Sequence, residues 1–379
     1  MAATDAGRPH APTSDTGFRR LRRDPRLDGV RGLAILAVLG THEIFVNPSG
    51  PEWFVRGLPR VDLFLVLSGF LIVGTLLSEH DRTGRIDLGG FARRRVRRLV
   101  PPLAAFLAIH ALVTAVLGDS LGEELRQAMM GLFFVGNWQL SVGHHPPFDL
   151  VHLWSLGVEA QLYFVAAFGV LLARRHLRNT SAIVGGLVVA IVAVALWRIG
   201  WWRHGTNPEA LYERTDLRAD SFLMGAVGIV LWRARVVGHR VAERVGWFGL
   251  LFLLGAFALT PRFSPALFGG GFTLVAFAAM WLVVGSGSDR SLLGAVVGSA
   301  PLRWLGERSY SLYLWHLPVF RWTDRALPDA PPVPKYLLAI VVALVVTELT
   351  YRLVERPLLS RRRPGLPEPT PSSASTPPP

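Results

Sequence analysis

Apolar segments of about twenty residues, the length that an α-helix needs to cross the hydrocarbon core of a bilayer, follow one another along most of this chain. Of its 379 residues, 51% are hydrophobic and only 18% are charged, and the mean hydropathy is +0.36. Water-soluble domains are less apolar and more charged than this. The sequence therefore predicts an all-α protein, a polytopic transmembrane helical bundle.

Ten segments have the length and composition of membrane spans, and they are residues 27–46, 61–79, 98–117, 151–173, 182–202, 217–234, 245–260, 265–285, 308–325 and 335–354. An eleventh candidate, residues 123–140, is shorter and more polar. Arginine clusters lie between the segments, and Lys and Arg concentrate in cytoplasmic loops. These clusters all fall on one side of the membrane only if residues 123–140 do not cross. We therefore predict about ten spans, with the N and C termini in the cytoplasm.

The two ends of the chain lack such segments. Residues 1–26 are polar and rich in Arg and Pro, which predicts a disordered basic cytoplasmic tail, and residues 359–379 form a disordered tail rich in Pro, Ser and Thr. Residues 27–358 are then the transmembrane domain. The net charge of +13 comes mainly from the arginine clusters, which indicate a lipid bilayer as partner and no nucleic acid. Because the chain has no Cys, disulfides and thiolate metal sites are excluded, and we predict no metal site.

The first span, LDGVRGLAILAVLGTHEIFV, carries charged and titratable residues. Arg31 and His42 are eleven positions apart, which on a helix is three turns plus roughly 20°, so both project from one face about 16 Å apart along the axis. Asp28 lies three residues before Arg31, on the same face. A snorkelling arginine and an interfacial histidine explain the pattern as well as a site does. In a site, the imidazole would suit proton transfer at neutral pH.

Two further spans begin with polar residues. The second opens RVDLFLVLSGFLI, where Asp62 and Gly69 share a face and Gly69 would allow close approach of another backbone. An aspartate favoured by the helix dipole explains Asp62 equally well. Before the third span stands FARRRVRRLVPP, whose arginines would anchor the helix to anionic lipid or, as a set, bind phosphates. These arginines are Arg93, Arg94, Arg95, Arg97 and Arg98.

The fourth span, VHLWSLGVEAQLYFV, carries a polar stripe. Its residues His152, Glu159 and Tyr163 fall within about 20° of one line on a helix, with Ser155 beside it. An acidic side chain two turns inside a span needs a partner or water, which favours a functional role for Glu159. For His152, near the membrane interface, a functional role and a purely structural one explain the residue equally well.

Polar residues also mark the sixth and ninth spans. Asp216 and Asp220 lie one turn apart in TDLRADSFLMGAV, and either a solvated helix end or an acceptor-binding role explains them. In LGERSYSLYLWHLPVF, Tyr313 and His316 share a face with Ser309, and a histidine inside a span is a functional candidate.

Seven motifs, taken in order, resemble those of the integral-membrane acyltransferase family 3. They are LDGVRG, RVDLFLVLSGFLI, FARRRVRRLVPP, HLWSLGVEAQLYF, TDLRADSFLMGA, SYSLYLWH and VERPL. The resemblance covers roughly residues 26–358. Members of this family O-acylate surface polysaccharides or small secreted molecules. Val30 stands where the family usually has leucine, and Thr41 stands where a tyrosine often precedes the histidine; neither change alters a charged group.

The resemblance implies a multi-pass plasma-membrane enzyme that moves an acyl group, expected to be acetyl, from cytoplasmic acyl-CoA to a hydroxyl of an extracytoplasmic carbohydrate or glycosylated small molecule. Acyl-CoA would be a co-substrate, with no bound cofactor. His42 would be the general base and Arg31 would bind phosphate, while Glu159 completes the expected catalytic set. Expected substrate-binding residues are Asp28, Asp62, Arg93, Arg94, Arg97, Arg98, His152, Ser155, Tyr163, Asp220, Tyr313 and His316.

Alternatives remain at this point. Transfer through an acyl-enzyme would use Ser68 or Ser155 as nucleophile, although neither lies in a recognisable nucleophile–base motif. The acceptor would be a cell-envelope glycan or a small secreted molecule such as a macrolide sugar. A secondary transporter would also place ionisable residues in the membrane, but the sequence shows no inverted repeat.

Overall fold

The structure, a computed structural model, describes residues 24–42, 60–118, 120–144, 148–177, 179–261, 263–287 and 291–360. These residues form helices, turns and short connections, with no strand among them, so the predicted all-α fold is confirmed. Most of the two expected tails, residues 1–23 and 361–379, and the end of the first predicted span, residues 43–46, lie outside the described residues.

The α-helices of the described residues, numbered in chain order, are α1 Pro25–His42, α2 Arg60–Thr83, α3 Leu88–Leu117, α4 Leu121–Leu132, α5 Trp154–His176, α6 Thr180–Arg203, α7 Pro208–Glu213, α8 Thr215–Arg233, α9 His239–Leu259, α10 Phe272–Ser286, α11 Leu292–Val297, α12 Ala300–Glu307, α13 Ser309–Ala326, α14 Pro332–Thr350 and α15 Arg356–Ser360. Single π-helical turns, Leu267–Gly271 and Tyr351–Glu355, adjoin α10 and α14. A 3₁₀ turn, Phe148–Leu153, leads into α5.

Within the described residues, each of the ten predicted spans overlaps one of these helices. Seven helical segments of the described chain are long and apolar enough to cross a membrane. The other three predicted spans correspond to α1, α8 and α13, each of which carries at least three charged residues. The number of crossings and the cytoplasmic location of both termini stay predictions.

The segment that was expected not to cross forms the short helix α4 and 3₁₀ turns. Twelve residues of α-helix extend about 18 Å, well short of the roughly 30 Å of a bilayer core. Leu121, Leu125 and Met129 recur every four residues on its exposed side, while Gln127 is buried. Helix α4 by itself is therefore too short to cross a bilayer.

Local sequence explains both ends of α3. The Gly90 N–H donates to the Asp87 carboxylate (2.8 Å), which caps the first turn and holds the pKa of Asp87 below its usual value. Gly118 ends the helix with a φ of 75°, a left-handed conformation that suits glycine. The helix continues through Pro101 and Pro102.

Helix α2 is the most buried of the seven long apolar helices, and it packs closely against α8. A Cβ atom on Gly69 would lie 2.0 Å from the Phe222 carbonyl oxygen, and one on Gly225 would lie 1.9 Å from the Val66 carbonyl oxygen. The two backbones can approach this far only because both positions are glycine. The close approach predicted at Gly69 is therefore confirmed.

Two fully buried ion pairs join α2, α6 and α8. Arg198 of α6 binds both carboxylate oxygens of Asp220 (3.0 and 2.9 Å), and Arg218 of α8 lies 2.6 Å from Asp62 of α2. The two guanidinium groups lie 5.4 and 4.2 Å from the Phe272 ring of α10. A buried charge is tolerated when it is paired, so these contacts fix the four helices relative to one another.

Candidate active site

A cavity of about 700 Å³ lies between α1, α2, α3, α5 and α13. Helix α2 supplies much of its apolar wall, including Phe64, Leu67 and Leu71. Most polar lining residues come from the other four helices, and they are Asp28, Arg31, Arg94, Arg95, Arg98, Ser155, Glu159, Tyr163, Ser309, Tyr310 and Tyr313. Helix α2 adds Ser68 and Thr75. One cavity therefore offers cationic, carboxylate and hydroxyl groups beside an apolar surface.

The cationic groups come from α1 and from the first turns of α3. Arg31 pairs with Asp28, and both side chains are partly exposed. Arg94 binds Glu79 of α2 (2.7 Å), and the Arg95 guanidinium lies 5.7 Å from the centre of the Tyr163 ring. Because the cavity contains more arginines than carboxylates, it suits an anionic ligand.

Helical periodicity explains which arginines of the RRRVRR segment reach the cavity. At about 100° per residue, Arg94, Arg95 and Arg98 occupy one arc of α3, and Arg93 and Arg97 occupy another. Arg94, Arg95 and Arg98 line the cavity, whereas Arg93 and Arg97 are exposed and do not line it. The sequence-based assignment included Arg93 and Arg97 and omitted Arg95. The same helical spacing, applied to the sequence, would have placed Arg95 with the cavity-lining arginines and the other two apart from them.

Glu159 lines the cavity and accepts hydrogen bonds from the hydroxyls of Ser68 and Tyr163. Ser68 belongs to α2, and the other two residues belong to α5, one turn apart. A hydroxyl that donates to a carboxylate has a base within reach, which is the arrangement of an activated nucleophile. This pairing was not recognisable from the sequence because Ser68 and Glu159 are 91 positions apart.

The Ser155 hydroxyl meets the Tyr313 hydroxyl (2.6 Å) where α5 and α13 approach each other. The Tyr313 hydroxyl donates to the His152 carbonyl oxygen, so Ser155 is the donor in its contact with Tyr313. Ser155 therefore has no basic partner in this pair. Tyr310, which the sequence analysis did not select, also lines the cavity and donates to the Leu99 carbonyl oxygen (2.7 Å).

His42 lies beside the cavity and not in its lining. Its Nδ1 atom is 3.0 Å from Nε2 of His316, and the two ring centres are 4.8 Å apart. The His316 ring lies 5.5 Å from the Tyr313 ring, which does line the cavity. Arg31 thus belongs to the cationic part of the cavity. His42 belongs to a histidine pair next to the tyrosine wall of the cavity, which Tyr310 and Tyr313 form.

His152 does not continue the polar stripe predicted for the fourth span. The α-helix begins at Trp154, and His152 stands in the preceding 3₁₀ turn, where about three residues make a turn and the 100° extrapolation fails. Its Nε2 atom donates to the Leu314 carbonyl oxygen (3.2 Å), which has no helical donor because residue 318 is proline. Ser155, Glu159 and Tyr163 retain the predicted common surface.

Asp62 and Asp220 also lie outside the cavity lining, contrary to the placement expected of substrate-binding residues. Both are fully buried, and their carboxylates face Arg218 and Arg198. The sequence pattern did not indicate these partners because they come from other helices. Among the residues that the structure describes, no three His, Asp or Glu side chains are grouped so that they could hold a metal ion.

The fold and this cavity define a polytopic membrane protein with an internal, arginine-rich site. The family model described as an acyltransferase domain, acyltransferase family 3, matches residues 24–352. The chain therefore belongs to this family, which confirms the resemblance seen in the sequence motifs.

Curated relatives agree with this family. The chain is 29% identical over 350 residues to the peptidoglycan O-acetyltransferase OatA of Listeria monocytogenes, which is 88% of the chain and 55% of that protein. It is 28% identical over 359 residues to the O-acetyltransferase OatA of Staphylococcus aureus, which is 90% of the chain and 59% of that protein. The chain thus spans less than two thirds of the length of these relatives. No solved structure matches the chain.

Proposed function

We propose that this chain is a plasma-membrane O-acyltransferase that moves an acyl group, expected to be acetyl, from cytoplasmic acyl-CoA to a hydroxyl of a cell-envelope glycan. The observation that carries the proposal is one cavity with four arginines and, on its tyrosine wall, a neighbouring histidine pair. A glycan acceptor is supported by the similarity to a peptidoglycan O-acetyltransferase.

The cationic part of the cavity would bind the donor. Acyl-CoA carries several phosphates, and guanidinium groups bind phosphate oxygens through two parallel hydrogen bonds. Helix α3 also has two backbone carbonyl groups without a helical donor, those of Arg97 and Arg98, because Pro101 and Pro102 four residues later have no N–H. The arginine clusters also mark the expected cytoplasmic side, where acyl-CoA is made.

The acyl group would then meet an acceptor hydroxyl near His42. The hydroxyl oxygen forms a bond to the thioester carbonyl carbon, the carbon–sulfur bond breaks, and CoA leaves as a thiolate. His42 takes the hydroxyl proton and returns it to the thiolate, so no other reactant is consumed. His42 is the last described residue of α1, eleven positions after Arg31, and in the predicted topology it would lie toward the side from which an extracytoplasmic acceptor arrives.

Two roles are compatible with Glu159. In direct transfer, it would orient the substrates through the hydroxyls of Ser68 and Tyr163. In the acyl-enzyme alternative, it would take the proton of Ser68 while Ser68 attacks the thioester. Of the two serines considered from the sequence, only Ser68 has a carboxylate partner in the described residues. We propose direct transfer, because it needs no second covalent step.

The test uses purified protein in liposomes with acetyl-CoA and an envelope glycan, and it measures acceptor-dependent release of CoA and the mass of the acceptor. His42→Gln should lower kcat by about 10²- to 10⁴-fold because the amide forms hydrogen bonds but takes no proton at neutral pH. Arg31→Lys should mainly raise KM for acetyl-CoA, because lysine lacks the planar fork that binds phosphate. Thermal unfolding with and without acetyl-CoA shows whether each variant is folded and binds the donor.

Three outcomes would contradict parts of the proposal. Near-parental transfer by His42→Gln would show that His42 is not the base. A 42-Da adduct in intact-protein mass spectra of the parent that is absent from Ser68→Ala would establish the acyl-enzyme route instead of direct transfer. Movement of acetyl-CoA or the acceptor across the liposome membrane without any acylated product would indicate a transporter, and acylation of small secreted glycosides alone would exclude the glycan acceptor.

A further inference from the structure

We infer that His316 is a positioning residue that holds the His42 ring in the tautomer whose Nε2 atom is unprotonated and can accept a proton. The inference rests on the proposed role of His42 as the base. It follows from the donors and acceptors in a line of three groups, the Tyr313 carbonyl, His316 and His42.

The first group fixes the tautomer of His316. Nδ1 of His316 is 2.7 Å from the carbonyl oxygen of Tyr313, one turn earlier in α13. A carbonyl oxygen can only accept a hydrogen bond, so Nδ1 of His316 must carry the hydrogen. In a neutral imidazole only one ring nitrogen is protonated, and Nε2 of His316 is therefore an acceptor.

The same reasoning then applies to His42. Nδ1 of His42 is 3.0 Å from Nε2 of His316, a normal hydrogen-bond distance. Because Nε2 of His316 accepts, Nδ1 of His42 must donate. A neutral His42 ring then has its proton on Nδ1 and its lone pair on Nε2. In catalytic triads, an acceptor bonded to Nδ1 of the histidine fixes the tautomer in the same way, so that Nε2 can take the substrate proton.

The surroundings keep His316 in place. Its side chain is fully buried, and its ring lies 5.5 Å from the Tyr313 ring, 5.4 Å from the His152 ring and 6.1 Å from the Phe320 ring. The His152 ring is itself held by the Leu314 carbonyl group that Pro318 leaves without a helical donor. The proline in α13 thus contributes to a rigid support for the histidine pair.

The arrangement also serves the proposed reaction after proton transfer. When Nε2 of His42 has taken a proton, both ring nitrogens are donors, and Nδ1 can keep its hydrogen bond to His316. The contact is therefore present before and after the transfer, and the ring does not need to turn. Replacing His316 by an apolar residue would remove the acceptor but not His42 itself.

The direct test is the tautomer of His42. Protein labelled with ¹⁵N-histidine, in lipid nanodiscs, gives ring-nitrogen signals for its eleven histidines, and the signals that disappear in His42→Gln belong to His42. We expect a protonated Nδ1 and an unprotonated Nε2 in the parent. In His316→Leu this pattern should be lost, and His316→Gln should retain it because the amide oxygen can accept from Nδ1. His110→Leu is the matched control, because His110 is equally buried but packs on Phe106 and Trp322.

Kinetics give an independent measurement. Removing a partner that orients a functional histidine commonly lowers activity about 10- to 100-fold, and a wrong tautomer lowers kcat by up to about 10⁴-fold in serine proteases. His316→Leu should therefore lower kcat at least about 10-fold with little change in KM for acetyl-CoA, and His316→Gln should recover most of the loss.

The outcomes separate this inference from the proposed function. If His42→Gln is inactive but His316→Leu has the parental kcat and His42 tautomer, His316 does not position His42. If His42 carries its hydrogen on Nε2 in the parent, the inference is overturned whatever the activity. If His42→Gln is fully active, the base assignment fails, while the nitrogen spectra still decide the tautomer.

Discussion

The buried pair of Asp62 and Arg218 allows a structural role to be separated from substrate binding. Asp62→Asn keeps the size of the side chain but removes the charge that faces Arg218, 2.6 Å away. Both side chains are fully buried, so water cannot replace the lost charge. Breaking one partner of a buried ion pair costs about 3–5 kcal/mol of unfolding free energy. The Tyr212 and Phe272 rings stay beside the guanidinium in the variant and therefore do not compensate for the change.

We expect Asp62→Asn to lower the unfolding temperature in detergent by on the order of 10 °C. The double variant Asp62→Leu/Arg218→Met replaces the whole pair by apolar side chains, a change that is often neutral for a buried pair. It should unfold within a few degrees of the parent and retain most of its acyl transfer.

The assay therefore combines thermal unfolding with acceptor-dependent release of CoA on the same preparations. A double variant that unfolds at the parental temperature but transfers no acyl group would refute the structural reasoning. Asp62 or Arg218 would then contact a substrate, as the sequence pattern alone allowed.

Three other predictions use contacts in different parts of the molecule. A Cys placed at exposed Gly143, in a chain without native Cys, should react with an impermeant thiol reagent from outside; reaction only after the membrane is opened would overturn the ten-span topology. Arg98→Gln should raise KM for acetyl-CoA about 10-fold or more, whereas Arg97→Gln should change it less than about twofold, and equal effects would contradict the division of α3 into two arcs. Gly69→Ala should lower the unfolding temperature strongly because its Cβ would meet the Phe222 carbonyl, whereas Gly185→Ala, with open space around it, should not; equal temperatures would exclude the tight α2–α8 contact.

Periodicity and segment length predicted the helices well because lipid leaves few alternatives for the backbone. Every buried N–H and C=O must be paired inside the segment, so a long apolar run becomes a helix. The same reasoning correctly placed Gly69 at a close helix contact and put Ser155, Glu159 and Tyr163 on one cavity wall. Each of these predictions used only the spacing of residues within one helix.

Features that depend on two helices could not be derived in this way. The partner of Asp220 is Arg198, and the partner of His42 is His316, 274 positions away. No local pattern in the sequence indicates either pairing. His152 was misplaced for a different reason, since a 3₁₀ turn changed the angular spacing before the α-helix began.

The helices that hydropathy identifies least well are held in the bundle by their polar residues. Helices α1, α8 and α13 lie outside the set of strongly apolar helices. They bring three groups of polar residues into the bundle: Arg31 and His42, the fully buried ion-paired residues Arg218 and Asp220, and the Tyr313–His316 turn. A charged side chain inside a membrane is unfavourable unless other groups solvate it. Each of these helices is therefore bound to its neighbours by its polar groups, α8 by two buried ion pairs and α1 by the histidine contact to α13. The polarity that weakens each helix as an isolated span thus holds the site together once the bundle has formed.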